Sequence, residues 1–122
     1  MPVEYRYDSN IVVIEMIGEY SVQELSQTIL NSIADSKCPA KPFMLIDISR
    51  STSINNRSMQ EIQSITQLII SLKSRIGNKI ALVASKDLPY GLMRMSSVGS
   101  EERGFESYVF RDIKQAIQWL ST

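Results

Sequence analysis

A polar stretch in the middle of the chain holds the side chains best placed to do chemistry. It follows an apolar strand that breaks on Asp47, and it runs to a helix start at Ser58. In open α/β sheets, ligands and partners bind where strands end and helices begin. Its hydroxyl and guanidinium donors could hold an anion or contact a partner with help from the helix N-terminus, and a solvated loop is the other interpretation. These donors belong to Ser49, Arg50, Ser51, Thr52, Ser53 and Ser58.

Asp47 has no companion at a spacing that acid, base or metal chemistry would need. We therefore expect its carboxylate to bond backbone N–H groups of the loop that it begins. A second candidate site lies later in the chain, where Tyr90 and Arg94 stand one helical turn apart and hence on one helix face. That face either turns toward a ligand or carries a stacked surface pair.

Composition excludes several classes of enzyme. The chain has no histidine and a single cysteine, Cys38, which rules out Ser-His-Asp and Cys-His arrangements, His-dependent metal sites and thiolate cages. Paired-carboxylate chemistry is disfavoured because capping explains Glu24 and because Glu15 alternates with buried neighbours on a strand. There is no phosphate-binding glycine loop or nucleophile elbow. We expect no catalytic residues, no cofactor and no metal.

Length and charge narrow the remaining classes. The 122 residues suit one domain spanning residues 1–122, with one hydrophobic core. Thirteen basic residues balance thirteen acidic ones, so the electrostatic footprint of a nucleic-acid-binding protein is absent. No run approaches the roughly 18 apolar residues of a membrane span. With one cysteine and no signal-like start, the chain is expected to be cytoplasmic.

The first half of the chain predicts two strands, a helix and a third strand. Residues 3–7 and 11–17 are β-rich runs around the turn-forming Asp8-Ser9-Asn10, and they predict an antiparallel hairpin. Ser21 and Glu24 have the spacing of a capping box and start a helix. The next strand covers residues 42–48. The apolar stripe of the helix is Val22, Leu25, Ile29 and Ile33.

The second half predicts strands alternating with helices. A capping box at Ser58 and Glu61 opens a long helix that Gly77-Asn78 should end in left-handed conformation. Leu68 and Ile70 lie off its stripe, as exposed side chains or as part of a partner-binding face. A strand at 79–85, a third helix from 90 to about 102, a strand at 105–110 and a last helix capped by Asp112 follow. The stripe of the long helix is Ile62, Ile65, Ile69, Leu72 and Ile76.

The resulting order is β-β-α-β-α-β-α-β-α. Alternating strands and helices require right-handed crossovers in a mostly parallel sheet, with the first strand antiparallel because it enters by a hairpin. The prediction is a single-domain α/β fold of about five strands and four helices.

This order, the compact length and the closing segment 109–120, VFRDIKQAIQWL, resemble the STAS-like, anti-sigma-factor-antagonist-like superfamily with the SpoIIAA-like fold. The likeness extends to small bacterial members described as STAS/Sec14-like. It covers nearly the whole chain and depends mostly on core positions. The resemblance implies a non-enzymatic regulatory or protein-interaction module, whose partner is another protein or a second copy of the chain. For the Sec14-like members it implies, as the alternative, a carrier of a small apolar ligand or lipid, with a cavity under the third helix.

In the anti-sigma antagonists, a serine at the start of a helix is phosphorylated. Matching residues 45–49 to the family's strand places Asn55 where the family has Asp, and Asn56 where it has the phosphorylated serine. In the same alignment, Arg57 occupies the position of a second serine in the family's motif, and Ser58 occupies the position of its glycine. The resemblance therefore implies a module without the usual phosphoserine switch, unless Ser53 or Ser58 takes that role. It adds Asn55 and Asn56 to the candidate partner-binding residues.

Overall fold

The computed structural model describes residues 3–51, 59–84 and 105–121. Its first two strands, β1 (Val3–Asp8) and β2 (Ile11–Gly18), pair antiparallel from Val3 opposite Met16 to Asp8 opposite Ile11. The turn that joins them holds Ser9 at φ 52°, the left-handed conformation that two-residue hairpin turns use. The predicted hairpin is confirmed.

Three further strands extend the sheet beyond β2. They are β3 (Phe43–Ser51), β4 (Lys79–Val83) and β5 (Glu106–Phe110), and the strand order is β1-β2-β3-β4-β5. Every pair after the hairpin is parallel. The mostly parallel sheet with one antiparallel strand is thus as predicted.

The described residues form three helices, α1 (Val22–Ala34), α2 (Met59–Ser71) and α3 (Ile113–Leu120). Ser21 Oγ accepts the Glu24 N–H at 3.0 Å, and Glu24 Oε1 accepts the Ser21 N–H at 3.1 Å, so the first capping box is confirmed. Asp112 caps α3 by accepting the N–H of Lys114 at 2.7 Å. The predicted helix from 90 to about 102 and the capping residue Ser58 lie outside the described residues.

Apolar side chains fill both faces of the sheet. On one face, Val12, Ile14 and Met16 of β2 join a core with apolar residues of α1 and α2. On the other, Ile11 and Val13 belong to a second core that includes residues of α3. Because both sets are at most 1% exposed, β2 is a central strand buried on both sides, as its continuous apolar run predicted.

The end of α2 differs from the prediction. The helix ends at Ser71, and the N–H groups of Leu72 and Arg75 bond carbonyls three residues back, which tightens the chain into turns. Leu72 and Ile76 are still buried, but they lie beyond the helix. Leu68 and Ile70 are half-buried against the first core, so interpreting them as exposed side chains was wrong.

Gly77 is present for a reason other than the predicted left-handed conformation. Among the described residues, positive φ occurs at Ser9, Gly18 and Lys41. A Cβ on Gly77 would lie 2.5 Å from Cδ1 of the Phe43 ring, and the Gly77 N–H donates to the Pro42 carbonyl at 2.8 Å. Glycine therefore allows the chain to pass close against the start of β3.

Candidate functional site

Asp47 lies inside β3, not at its end as predicted. Pairing with β4 stops at Asp47 opposite Val83, whereas pairing with β2 continues to Ser51 opposite Gly18. The last part of β3 therefore has a paired neighbour on one side only, within the part of the chain that the structure describes. The donor-rich segment, which starts at Ser49, therefore begins where β3 is paired with β2 alone among the described strands.

A bulge interrupts the pairing of β2 with β3 next to Asp47. Glu15 is opposite Asp47 and Ile17 is opposite Arg50, so β3 advances by three residues while β2 advances by two. One extra residue in β3 reverses the alternation of side chains beyond it. As a result, Arg50 lies on the same face of the sheet as Glu15.

The Asp47 carboxylate stabilises this bulge. Its Oδ1 accepts the Ser49 N–H at 2.9 Å and the Ser49 hydroxyl at 2.6 Å, and the residue is only 4% exposed. The predicted bond to a backbone N–H is therefore present, although it lies within a strand. Since a buried carboxylate needs such donors, this arrangement accounts for Asp47 structurally.

Two arginines flank one half-buried carboxylate on this face. Arg6 Nη1 lies 3.4 Å from Glu15 Oε1, and Arg50 Nη1 lies 3.6 Å from Glu15 Oε2. The Glu15 side chain is 17% exposed, and those of Arg6 and Arg50 are 54% and 64% exposed. We refer to Arg6, Glu15 and Arg50 as the arginine cluster. The Glu4 and Asp47 carboxylates are directly opposite Glu15 on the neighbouring strands, so this face carries no excess of positive charge.

The chemistry available to the arginine cluster is binding. An arginine stays protonated in proteins and presents five N–H donors in a planar fork that fits carboxylate or phosphate groups. The exposed faces of Arg6 and Arg50 retain donors that Glu15 does not use. The exposed donors of Arg50, whose side chain is 64% exposed, are thus suited to bind an anionic group.

The structure brings together only part of the predicted site. Asp47, Ser49 and Arg50 lie close in the bulge, and Ser51 is the last residue of β3. Sequence reasoning did not assign Arg6 and Glu15 to the site. The sequence feature that could have indicated this part of the site was Glu15, because it is a charged residue within an apolar strand. The remaining predicted site residues, outside the described residues, are Ser53, Asn55, Asn56, Ser58, Tyr90 and Arg94.

The other described side chains that could do chemistry are the Cys38 thiol and the potential metal ligands. Burial raises the pKa of the Cys38 thiol, although Arg75 acts in the opposite direction, so at neutral pH the thiol is mostly protonated and weakly nucleophilic. In the described ranges, His, Cys, Asp and Glu form no group of three that could hold a metal. No helix found there is long and apolar enough to cross a membrane.

A groove of about 660 Å³ runs along the outer side of α1. It is open to solvent, and Val3, Val22 and Leu30 supply its apolar side chains. An open groove does not match the enclosed apolar pocket of a lipid carrier. The cavity expected beneath the helix predicted from residue 90 lies outside the described residues. The polar lining consists of Ser21, Gln23, Glu24, Ser26, Gln27, Thr28 and Asn31.

Comparison with known proteins identifies the fold. No family model matches the chain, and no curated protein matches it in sequence. A crystal structure of an uncharacterised DUF3478-family protein from Shewanella loihica PV-4, which has a SpoIIAA-like fold, is similar with a TM-score of 0.60. The two share 14% sequence identity over 97% of this chain and 91% of the other. The chain therefore has the SpoIIAA-like fold that its sequence resemblance implied.

Proposed function

We propose that the chain is a non-enzymatic, STAS-like protein-interaction module. It binds an acidic surface of a partner protein through Arg50 and the segment 52–58 that follows β3. The observation that carries the proposal is the placement of Arg50, which the bulge turns onto the face of Glu15 while leaving its side chain 64% exposed.

The strand backbone makes Arg50 a pre-organised contact. One end of its guanidinium is held by Glu15 at 3.6 Å, and the adjacent bulge is fixed by Asp47 and Ser49. A side chain that is already ordered loses less conformational freedom on binding. An exposed ion pair contributes only about 0 to 1 kcal/mol to stability, so substitution of Arg50 should leave the fold intact.

The fold and the composition support the same proposal. The SpoIIAA-like fold suggests a STAS-like regulatory module, in which a strand leads into a helix through a partner-binding segment. A sequence without histidine, whose lone cysteine has a raised pKa, offers few groups for acid–base or nucleophilic catalysis. The open, partly polar groove on α1 favours an interaction module over a carrier of apolar ligands.

The test is capture of partner proteins from lysate of the source cells with tagged wild-type chain and with Arg50→Ala. We expect Arg50→Ala to lose one or more specific partners by at least about tenfold, which corresponds to about 1.4 kcal/mol. Lys73→Ala is the matched control, because it removes one exposed positive charge in the turn after α2. Identical partners for Arg50→Ala and wild type would contradict the proposed contact.

A further inference from the structure

The outer edge of β1 offers backbone groups for pairing. β1 is the first strand in the sheet order, so β2 is its only neighbour among the described strands. A two-residue turn makes Asp8 and Ile11 a hydrogen-bonded pair. Hydrogen-bonded pairs alternate with non-hydrogen-bonded pairs along two antiparallel strands. The backbones of Arg6 and Glu4 therefore also bond β2. The N–H and C=O groups of the intervening residues point away from the sheet, and these residues are Val3, Tyr5 and Tyr7.

We infer that this edge pairs with β1 of a second copy of the chain. The two strands run antiparallel about a two-fold axis at Tyr5, and the two five-stranded sheets join into one continuous sheet. The outward backbone groups of both strands then bond each other, as in strand addition to a sheet edge. This interface is separate from Arg50, on which the proposed function depends.

Charge selects the register of the pairing. Two or more outward residues of each β1 meet directly when the axis is at Glu4, Tyr5 or Arg6, whereas an axis at Val3 or Tyr7 joins only one. An axis at Glu4 places two glutamates opposite each other, and an axis at Arg6 places two arginines opposite each other. An axis at Tyr5 instead places each Glu4 opposite the partner's Arg6. Like charges directly opposite destabilise a sheet and opposite charges stabilise it, so the Tyr5 axis is favoured.

The monomer leaves Glu4 in an unfavourable position that the second copy corrects. Glu4 is exposed and directly opposite Glu15 in the β1–β2 register, and it forms no ion pair among the described residues. Arg6 is 54% exposed and has a single contact with Glu15 at 3.4 Å. In the dimer, Glu4 and the partner's Arg6 form a non-hydrogen-bonded pair, in which opposing side chains are closest.

The other face of the same edge is apolar and aromatic. The Tyr5 and Tyr7 rings lie 5.9 Å apart, and hydrogen bonds of 2.7 Å to Asp35 and to the Ser32 carbonyl orient them. The Tyr5 axis places each Tyr5 opposite its counterpart and each Val3 opposite the partner's Tyr7. Such aromatic and β-branched cross-strand pairs stabilise sheets.

Two further features favour this edge for self-association. α1 packs over β1, so the α1 helices of both copies would lie on either side of the axis. Leu30 of α1 is 40% exposed and lines the same groove as Val3, so an exposed apolar side chain lies near this edge. The opposite edge, β5, carries one charged residue, Glu106. Self-pairing of β5 therefore cannot place opposite charges across from each other.

Sedimentation equilibrium tests the dimer. We expect wild-type chain to reach twice the 13.8 kDa of one chain as concentration rises, and Glu4→Arg and Arg6→Glu each to weaken association at least about tenfold, equivalent to about 1.4 kcal/mol. The double variant Glu4→Arg/Arg6→Glu restores the opposite-charge pairs and should restore the dimer. A wild-type monomer at the highest attainable concentration would overturn the inference, as would a double variant as weak as the single ones. Circular dichroism establishes that each variant is folded.

Disulfide trapping tests the register. In a Cys38→Ser background, Tyr5→Cys places two thiols directly opposite each other across the axis, within reach of a disulfide. Oxidation should then yield a covalent dimer. Tyr7→Cys alone should not yield one, because the residue opposite it is the partner's Val3. Equal cross-linking of the two variants would exclude the Tyr5 axis.

Discussion

Arg50 reaches Glu15 because β3 contains one more residue than β2 between their shared register positions. Glu15 is opposite Asp47 and Ile17 is opposite Arg50, and the Arg50 guanidinium lies 3.6 Å from the Glu15 carboxylate. Without the extra residue, strand alternation would turn Arg50 to the opposite face. The bulge thus places the Arg50 side chain on the face of the sheet that carries Glu15.

Removal of the carboxylate that holds the bulge should destabilise the protein. Asp47→Ala leaves the Ser49 N–H and hydroxyl without their acceptor, and an unsatisfied buried group costs about 1 to 3 kcal/mol. Ser49→Ala removes only the hydroxyl bond and should cost less. Urea unfolding measures both free energies. Equal effects of the two substitutions would mean that the backbone bond to Asp47 contributes nothing.

Local sequence signals predicted those parts of the fold that depend on neighbouring residues. Ser21 and Glu24 form the expected capping box, and Asp112 caps the last helix. The arginine cluster was not predictable in this way, because Arg6, Glu15 and Arg50 meet only through the register of three strands and a bulge. Gly77 was misinterpreted for a similar reason, since its close neighbour Phe43 is distant in the sequence.

A charge introduced at Asn56 should change partner binding without changing stability. Asn56 matches the family's phosphorylated serine by resemblance, so Asn56→Asp places a permanent charge where that switch would act. We expect a changed set of captured proteins and a free energy of unfolding within about 0.5 kcal/mol of wild type, because the carboxylate is nearly the same size as the amide that it replaces. Asn31→Asp on the exposed side of α1 is the control. Unchanged capture by Asn56→Asp would argue against this segment as the contact.

The buried stripe of α2 should dominate the stability of that helix. Ile69 is 6% exposed and lies in the core shared with α1, so Ile69→Ala should cost about 2 to 5 kcal/mol. Ile70→Ala, at a half-buried neighbouring position, is the matched control and should cost less. Guanidinium unfolding curves give both values. A cost for Ile69→Ala below about 1 kcal/mol would show that this face of the helix is not core.

Alkaline pH should weaken the junction of β1 with α1. Burial, and secondarily the Asp35 carboxylate, raises the pKa of Tyr7 to about 12, from an ordinary value of about 10. A folded-state pKa above the unfolded one gives stability that is complete below pH 10 and is lost as pH rises toward about 12. Thermal unfolding across this range should show the loss in wild type and a smaller loss in Tyr7→Phe. The control Tyr108→Phe, whose ring is 53% exposed, should behave like wild type.

Two glycine substitutions should destabilise the chain by different mechanisms. Gly77→Ala places a Cβ 2.5 Å from the Phe43 ring, and such overpacking costs about 1 to 3 kcal/mol. Gly18→Ala meets no atom within 4 Å, but its φ of +71° costs an L-residue about 1 to 2 kcal/mol.

A double-mutant cycle with Phe43→Ala separates the two mechanisms, because that substitution removes the ring that Gly77 faces. In the Phe43→Ala background, we expect Gly77→Ala to lose most of its cost and Gly18→Ala to keep its own. Chemical unfolding of the three single and two double variants, with wild type as reference, measures the coupling. If the cost of Gly77→Ala were the same in both backgrounds, backbone conformation and not contact with Phe43 would explain the glycine at position 77.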